Sequence, residues 1–176
     1  RNENDQSRLS AEEWTARKEG IETAWTGLSS PEQSYRFVFY QALMEDGKEL
    51  VIQLQSLLQD IRKSHPDHSL SLEGEVLRHL ALKTSAKELK QKHAFAVEAL
   101  QFEARRIRVS LPAVEDANPN WDEVMGMIKD MVEAERPTSD FNFTLSRLRD
   151  VAYEEMEYDR VLELADLAET MSKSLS

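Results

Sequence analysis

The sequence has no cysteine, which excludes a disulfide scaffold, a thiol nucleophile and thiolate metal ligands together. That absence sits most simply with an intracellular protein of the cytoplasm or nucleus, although an exported bacterial protein that uses no disulfides also fits. Long apolar runs are missing as well. No stretch approaches the roughly 18 consecutive apolar residues of a membrane span. The N-terminus lacks the charged start and apolar run of a signal peptide, so neither anchor nor intact leader is expected. The chain begins at Arg1 rather than Met, which reads as an excised or processed product. Glycine and proline are scarce, five of each in 176 residues, which argues against a turn-rich sheet protein. Gly-rich phosphate loops, a nucleophile elbow and a Ser/His/Asp spacing are absent too. The expectation is therefore a non-enzyme that holds no cofactor.

What the chain does contain is Ala, Leu, Glu, Lys, Gln and Arg in abundance, the composition of helices. Apolar residues are spread along the whole length, and only the tail from Arg1 to Arg8 is plainly polar. An all-α bundle of five or six unequal helices is predicted. It would form one domain over residues 10–176 behind a polar tail at 1–9, with possible sub-bundles at 10–64 and 70–176. The net charge of -11 is uneven: residues 1–64, 65–111 and 112–176 balance at -3, +2 and -10. So acidic a final third repels phosphates, which argues against nucleic acid and for basic protein partners.

Ser10 and Glu13 form a capping box with Leu9 and Trp14 as a hydrophobic staple, predicting a helix from Ala11 to Leu28 with Trp14, Ile21, Trp25 and Leu28 inward. Ser29-Ser30 before Pro31, with Gln33 following, starts a second. Tyr35, Val38, Phe39, Ala42 and Leu43 repeat with helical period. Gly47 could end that helix. However, Leu43, Gly47, Leu50, Leu54, Leu57 and Ile61 stay in phase through it, so one helix reaching Lys63 is the expectation.

His65 to Ser69 is a loop around Pro66. Leu72 to Lys83 is a short helix, and Thr84-Ser85 with Glu88 either caps a new helix or lies inside a continuing one. From Ala86 to Leu111 the apolar series Leu89, His93, Ala96, Val97, Leu100, Ala104, Ile107, Leu111 holds one face. After Pro112 and Pro119, Asn120 and Glu123 cap a helix from Trp121 to about Glu135. Arg136 to Asp140 breaks the chain again, and a last helix runs from near Phe141 to Met171. No repeat of tetratricopeptide type occurs, so a bundle is preferred to a solenoid.

Candidate chemistry is sparse. His65 and His68 lack neighbouring ligands, and no histidine has a carboxylate three residues before it, as a di-iron bundle requires. His79 to Ala86 partly resembles the His-x-Leu-Lys-Gly-x-Ala pattern of histidine phosphotransfer domains, which are also helical bundles. One residue is inserted after His79, turning the Leu82-Lys83 pair by about 100°, and Thr84 replaces the glycine. Those departures favour a histidine bordering the core. Glu154, Glu155, Glu157 and Asp159 point around a helix and read as a solvated face. Lys83, Lys87 and Lys90 form a basic stripe, with Arg105, Arg106 and Arg108 beyond, expected to border the packing surface against the acidic last helix.

The expected function is a protein-interaction module, an adaptor, assembly subunit or regulator binding another protein or a second copy of itself. Alternatives are phosphotransfer through His79, or an acidic effector that binds a basic protein through residues 150–169. Apolar residues in Tyr35 to Tyr40 cover more of the helix than one inward stripe needs, which nominates Phe37 and Tyr40 as contact residues. Phe141 and Phe143 raise the same question. Met127 joins them as an adaptable thioether at the border of the core.

Overall fold

A computed structural model describes residues 10–25, 31–112, 114–116, 118–134 and 138–174. Among them are eight α-helices and no strand. The first, α1 (Ala11–Trp25), starts at the predicted capping box: the Glu13 backbone N–H donates to Ser10 Oγ and the Ser10 N–H donates to the Glu13 carboxylate at 2.7 Å. The Leu9–Trp14 staple, the inward face built on Trp14, Ile21, Trp25 and Leu28, and the Ser29-Ser30 start lie outside what is described.

Helix α2 (Pro31–Leu43) turns directly into α3 (Gly47–Ser64), so the expected continuous helix is two. Gly47 takes a φ of +56°, the left-handed region that glycine enters without a Cβ penalty. The two helices then run back along each other, and the Tyr35 hydroxyl donates to Ser64 Oγ at 2.7 Å across 29 positions. An unbroken helix would hold those residues about 43 Å apart. The in-phase leucines misled because Leu50, Leu54, Leu57 and Ile61 all belong to α3, whose own burial explains them.

The loop at His65 to Ser69 leads to α4 (Leu72–Lys83) with the predicted limits. Ser85 then caps a single 3-10 turn, Ala86–Glu88, before α5 (Leu89–Arg106). Helix α5 is buried almost all round, through Phe95, Ala96, Val97, Ala99, Leu100, Phe102 and Ala104, as befits a central helix. Gly74 on α4 lets α5 come close: a Cβ there would stand 2.7 Å from Phe102 Cδ1. Helix α5 stops at Arg106 instead of Leu111. The Val109 N–H donates to the Ala104 carbonyl and the Arg108 N–H to Arg105, with Arg108 at φ +60°. This Schellman closure is built without glycine.

Helix α6 (Trp121–Glu133) opens with the predicted Asn120/Glu123 capping box. Thr138 caps α7 (Ser139–Glu154) by accepting from the Phe141 N–H. The last expected helix is in fact α7 and α8 (Tyr158–Ser174), which raises the number above five or six. Met156 at φ +61° makes a second glycine-free Schellman closure, with the Glu157 N–H donating to the Ala152 carbonyl at 2.8 Å. Neither glycine nor proline marks this reversal. One contiguous cluster of buried side chains runs from Phe39 on α2 to Met171 on α8, with α4, α5 and α7 at its centre. No described helix is long and apolar enough to cross a membrane.

Candidate functional site

Around the start of α5 lie the start of α3, the end of α4, the 3-10 turn, the start of α6, the end of α7 and the start of α8. Three clefts open there, of about 870, 450 and 330 Å³. Lys92, buried on α5, holds the place together. Its ammonium donates to the carbonyls of Thr84 at 2.8 Å and Leu82 at 3.3 Å, at the negative end of α4, and stands 3.4 Å from Glu154 of α7.

At the next residue, His93 ties three elements. Its Nε2 faces the Pro119 carbonyl at 2.8 Å, and Nδ1 faces the Glu155 carboxylate at 3.0 Å. The Trp121 indole N–H donates to the other Glu155 oxygen at 2.6 Å, and its ring meets the imidazole edge-on with centroids 5.1 Å apart. Both ring nitrogens and both carboxylate oxygens are thus engaged, which makes the trio a staple between α5, α6 and the end of α7. The 450 Å³ cleft lies over it, and across this cleft Arg160 joins Asp122 and, at 2.9 Å, Glu163.

These contacts correct the solvated-face expectation for the acidic run. Because α7 ends at Glu154, Glu155 turns inward to His93 while Glu154 reaches Lys92; Glu157 and Asp159 remain exposed. No sequence signal announces it, since every residue of the run is compatible with a helix.

The largest cleft lies between the first half of α3 and the 3-10 turn with the start of α5. It is lined by Lys48, Val51, Ile52 and Gln55 on one side and by Lys83, Ser85, Lys87, Glu88, Lys90 and Gln91 on the other. Among the described residues no carboxylate pairs with any of its four lysines. The basic stripe faces α3 across a groove, and Lys90 at its end also lines the cleft bordered by Asp122, Glu155, Glu157 and Arg160. The buried Lys92 reaches Glu154 on that acidic side. Arg105, Arg106 and Arg108 are exposed at the opposite end.

The third cleft, walled by Ala81, Leu82, Tyr153 and Val161 among others, adjoins an apolar corner where α7 turns into α8. Tyr153, Met156, Tyr158 and Leu162 are all more than half exposed there, and the two tyrosine rings meet edge-on at 5.9 Å.

Sequence-nominated contact residues lie elsewhere. Phe37 is half-buried and Tyr40 exposed on α2, and Phe143 is exposed at the far end of α7. Met127 and Phe141 have 0% and 1% of their surface exposed. They are core residues, so the surface role expected of both is corrected: Met127 packs on the inward face of α6, and Phe141 closes the first turn of α7. His79 sets Nδ1 2.9 Å from the Glu75 carbonyl and its ring edge-on to Phe39. Its burial holds the imidazole pKa below the usual value. His68 Nδ1 lies 2.8 Å from the buried Glu73. No group of three or more His, Asp or Glu among the described residues could hold a metal ion. Set against known proteins, the chain matches no family model, no curated sequence and no solved structure.

Proposed function

We propose that this chain is a non-catalytic helical interaction module that presents one end of its bundle to another protein. The observation that carries the reading is the corner of α7 and α8, where Tyr153, Met156, Tyr158 and Leu162 stand together in solvent beside a cleft. Burying such a patch gains about 25 cal/mol per Å² of apolar surface, whereas the isolated fold gains nothing by leaving it out. The polar groups nearest the clefts support a contact role over a chemical one, because His93, Glu155 and Lys92 are committed to bonds that hold helix ends together. His79, with Nδ1 turned to a backbone carbonyl and its ring against Phe39, adds no weight to phosphotransfer. Glu163 and Glu169 pair within α8 with Arg160 and Lys173, which weakens the case for an acidic effector surface.

The test is affinity capture from source extract by wild type, a Tyr153→Glu/Leu162→Glu variant and a Phe143→Glu variant, with light scattering on each. A stoichiometric protein partner retained by Phe143→Glu and lost by the corner variant is expected. Recovery that ignores the corner variant, or no partner with wild type, would overturn the proposal.

A further inference from the structure

We infer that the lysine-lined groove between α3 and the start of α5 binds an acidic amphipathic helix of the partner. The inference rests on the interaction-module reading and names the chemistry of one contact. Four elements contribute its positive charge, Lys48 from α3, Lys83 from the end of α4, Lys87 from the 3-10 turn and Lys90 from α5, against the single carboxylate of Glu88, in a chain whose net charge is -11. Gathering like charges raises the energy of the unbound fold, and a ligand carrying the opposite sign relieves that repulsion.

Charge alone does not choose the ligand; the groove wall does. Val51 and Ile52 lie along it, and Ile52 is 57% exposed although the rest of its helix hides its large apolar side chains well. A ligand that fills the groove must therefore offer apolar side chains beside its carboxylates. No aromatic residue lines the groove, so single-stranded nucleic acid finds no stacking platform there. Strand addition is closed to an extended peptide, because the described residues contain no strand, and a polyproline ligand finds no aromatic wall. A helix satisfies its own backbone and lays one face into a groove between helices, with leucine-type anchors against Ile52 and carboxylates towards the flanking lysines.

Fluorescence anisotropy tests this with a labelled helical peptide of about 18 residues, long enough to hold helix on binding, carrying leucines at helical period and glutamates elsewhere. The acidic peptide should bind, and Lys83→Glu/Lys87→Glu/Lys90→Glu should weaken it about tenfold or more. Ile52→Ser should weaken it severalfold, and added salt should weaken it progressively. All four positions are exposed, and a Lys→Gln triple variant, expected to lose affinity to a smaller degree, separates lost attraction from new repulsion. Equal binding by the same peptide with lysines for glutamates, or indifference to the reversal, would overturn the inference. So would equal binding of polyglutamate or of a single-stranded oligonucleotide, which would make the groove a general polyanion site. Reversible self-association of the wild type, abolished by the same reversal, would also overturn it by placing the acidic segment on a second copy. Failure here with partner capture through the Tyr153/Leu162 corner intact would remove the groove ligand and leave the interaction module standing.

Discussion

His93 Nδ1 lies 3.0 Å from Glu155 Oε1, joining the start of α5 to the residue that follows the end of α7. The imidazole is buried and the carboxylate only one-fifth exposed, so removing either partner strands the other away from water. Glu155→Ala should cost about 2 kcal/mol, below the value for a fully buried pair because solvent reaches the carboxylate. Asp159→Asn, on the exposed side of the same acidic run, should change stability by less than about 0.5 kcal/mol. Urea denaturation checks both, and equal effects would return the run to a solvated face. A His93→Gln/Glu155→Gln double-mutant cycle should show coupling of about 1 kcal/mol or more.

Met156 and Arg108 hold left-handed backbone conformations with full side chains. Met156 is 72% exposed, so its side chain contributes little packing. Met156→Gly and Arg108→Gly should each stabilise the protein by about 0.5 kcal/mol, the relief of strain exceeding the added freedom of the unfolded chain. Gly47→Ala should destabilise by about 1 kcal/mol although nothing lies within 4 Å of the added Cβ. Thermal denaturation of the three variants reads the signs; a neutral Gly47→Ala would contradict the assigned turn.

Gly74 stands against Phe102 so closely that a methyl group cannot fit without movement. Gly74→Ala should cost about 1–3 kcal/mol through overpacking, despite alanine's better helix propensity. Adding Phe102→Leu should recover part of that loss. If the single substitution stabilises, α4 and α5 are further apart than described.

Burial, the leading cause, depresses the pKa of His79, against a smaller opposing contribution from the Glu75 carbonyl. The folded chain therefore favours neutral imidazole. Its contribution is fully present above the unfolded value of about 6.5 and is lost as pH falls below that value towards the folded one. Denaturation midpoints of His79→Gln should accordingly fall less between about pH 7 and pH 5 than those of wild type. A steeper fall in the variant would reverse the assignment.

Helix starts that carry a capping side chain are legible in the sequence, as at Ser10 with Glu13 and Asn120 with Glu123. At Lys83 the sequence leaves two readings open, and the structure takes the one in which Ser85 caps a new turn. What escapes is the reversal at Gly47, where leucines in phase outweigh the glycine, and those made by left-handed backbone at residues with no glycine signature. Arg108 and Met156 are ordinary helix formers, and only the contacts beyond them reward the turn. The candidate site suffers most from this. Its inward glutamate, its apolar corner and the placing of its lysines opposite α3 all follow from where helices end, whereas residue type alone describes an acidic run, a core-like leucine and a basic stripe. Phe141 and Met127 show the converse: apolar residues that read as surface contacts lie fully inside the core.

Helix α8 sinks only Leu164 and Met171 fully into the cluster, whereas α5 is enclosed by its neighbours along most of its length. Cooperative opening thus has a natural order, in which the final helix detaches from α7 while the central three hold. Amide hydrogens of α8 should exchange at sub-global free energies and those of α5 only through global unfolding. Such a shutter would uncover the outer face of α7 without melting the protein, so that occupancy of the corner by a ligand would be read out as slowed exchange throughout the last seventeen-residue helix.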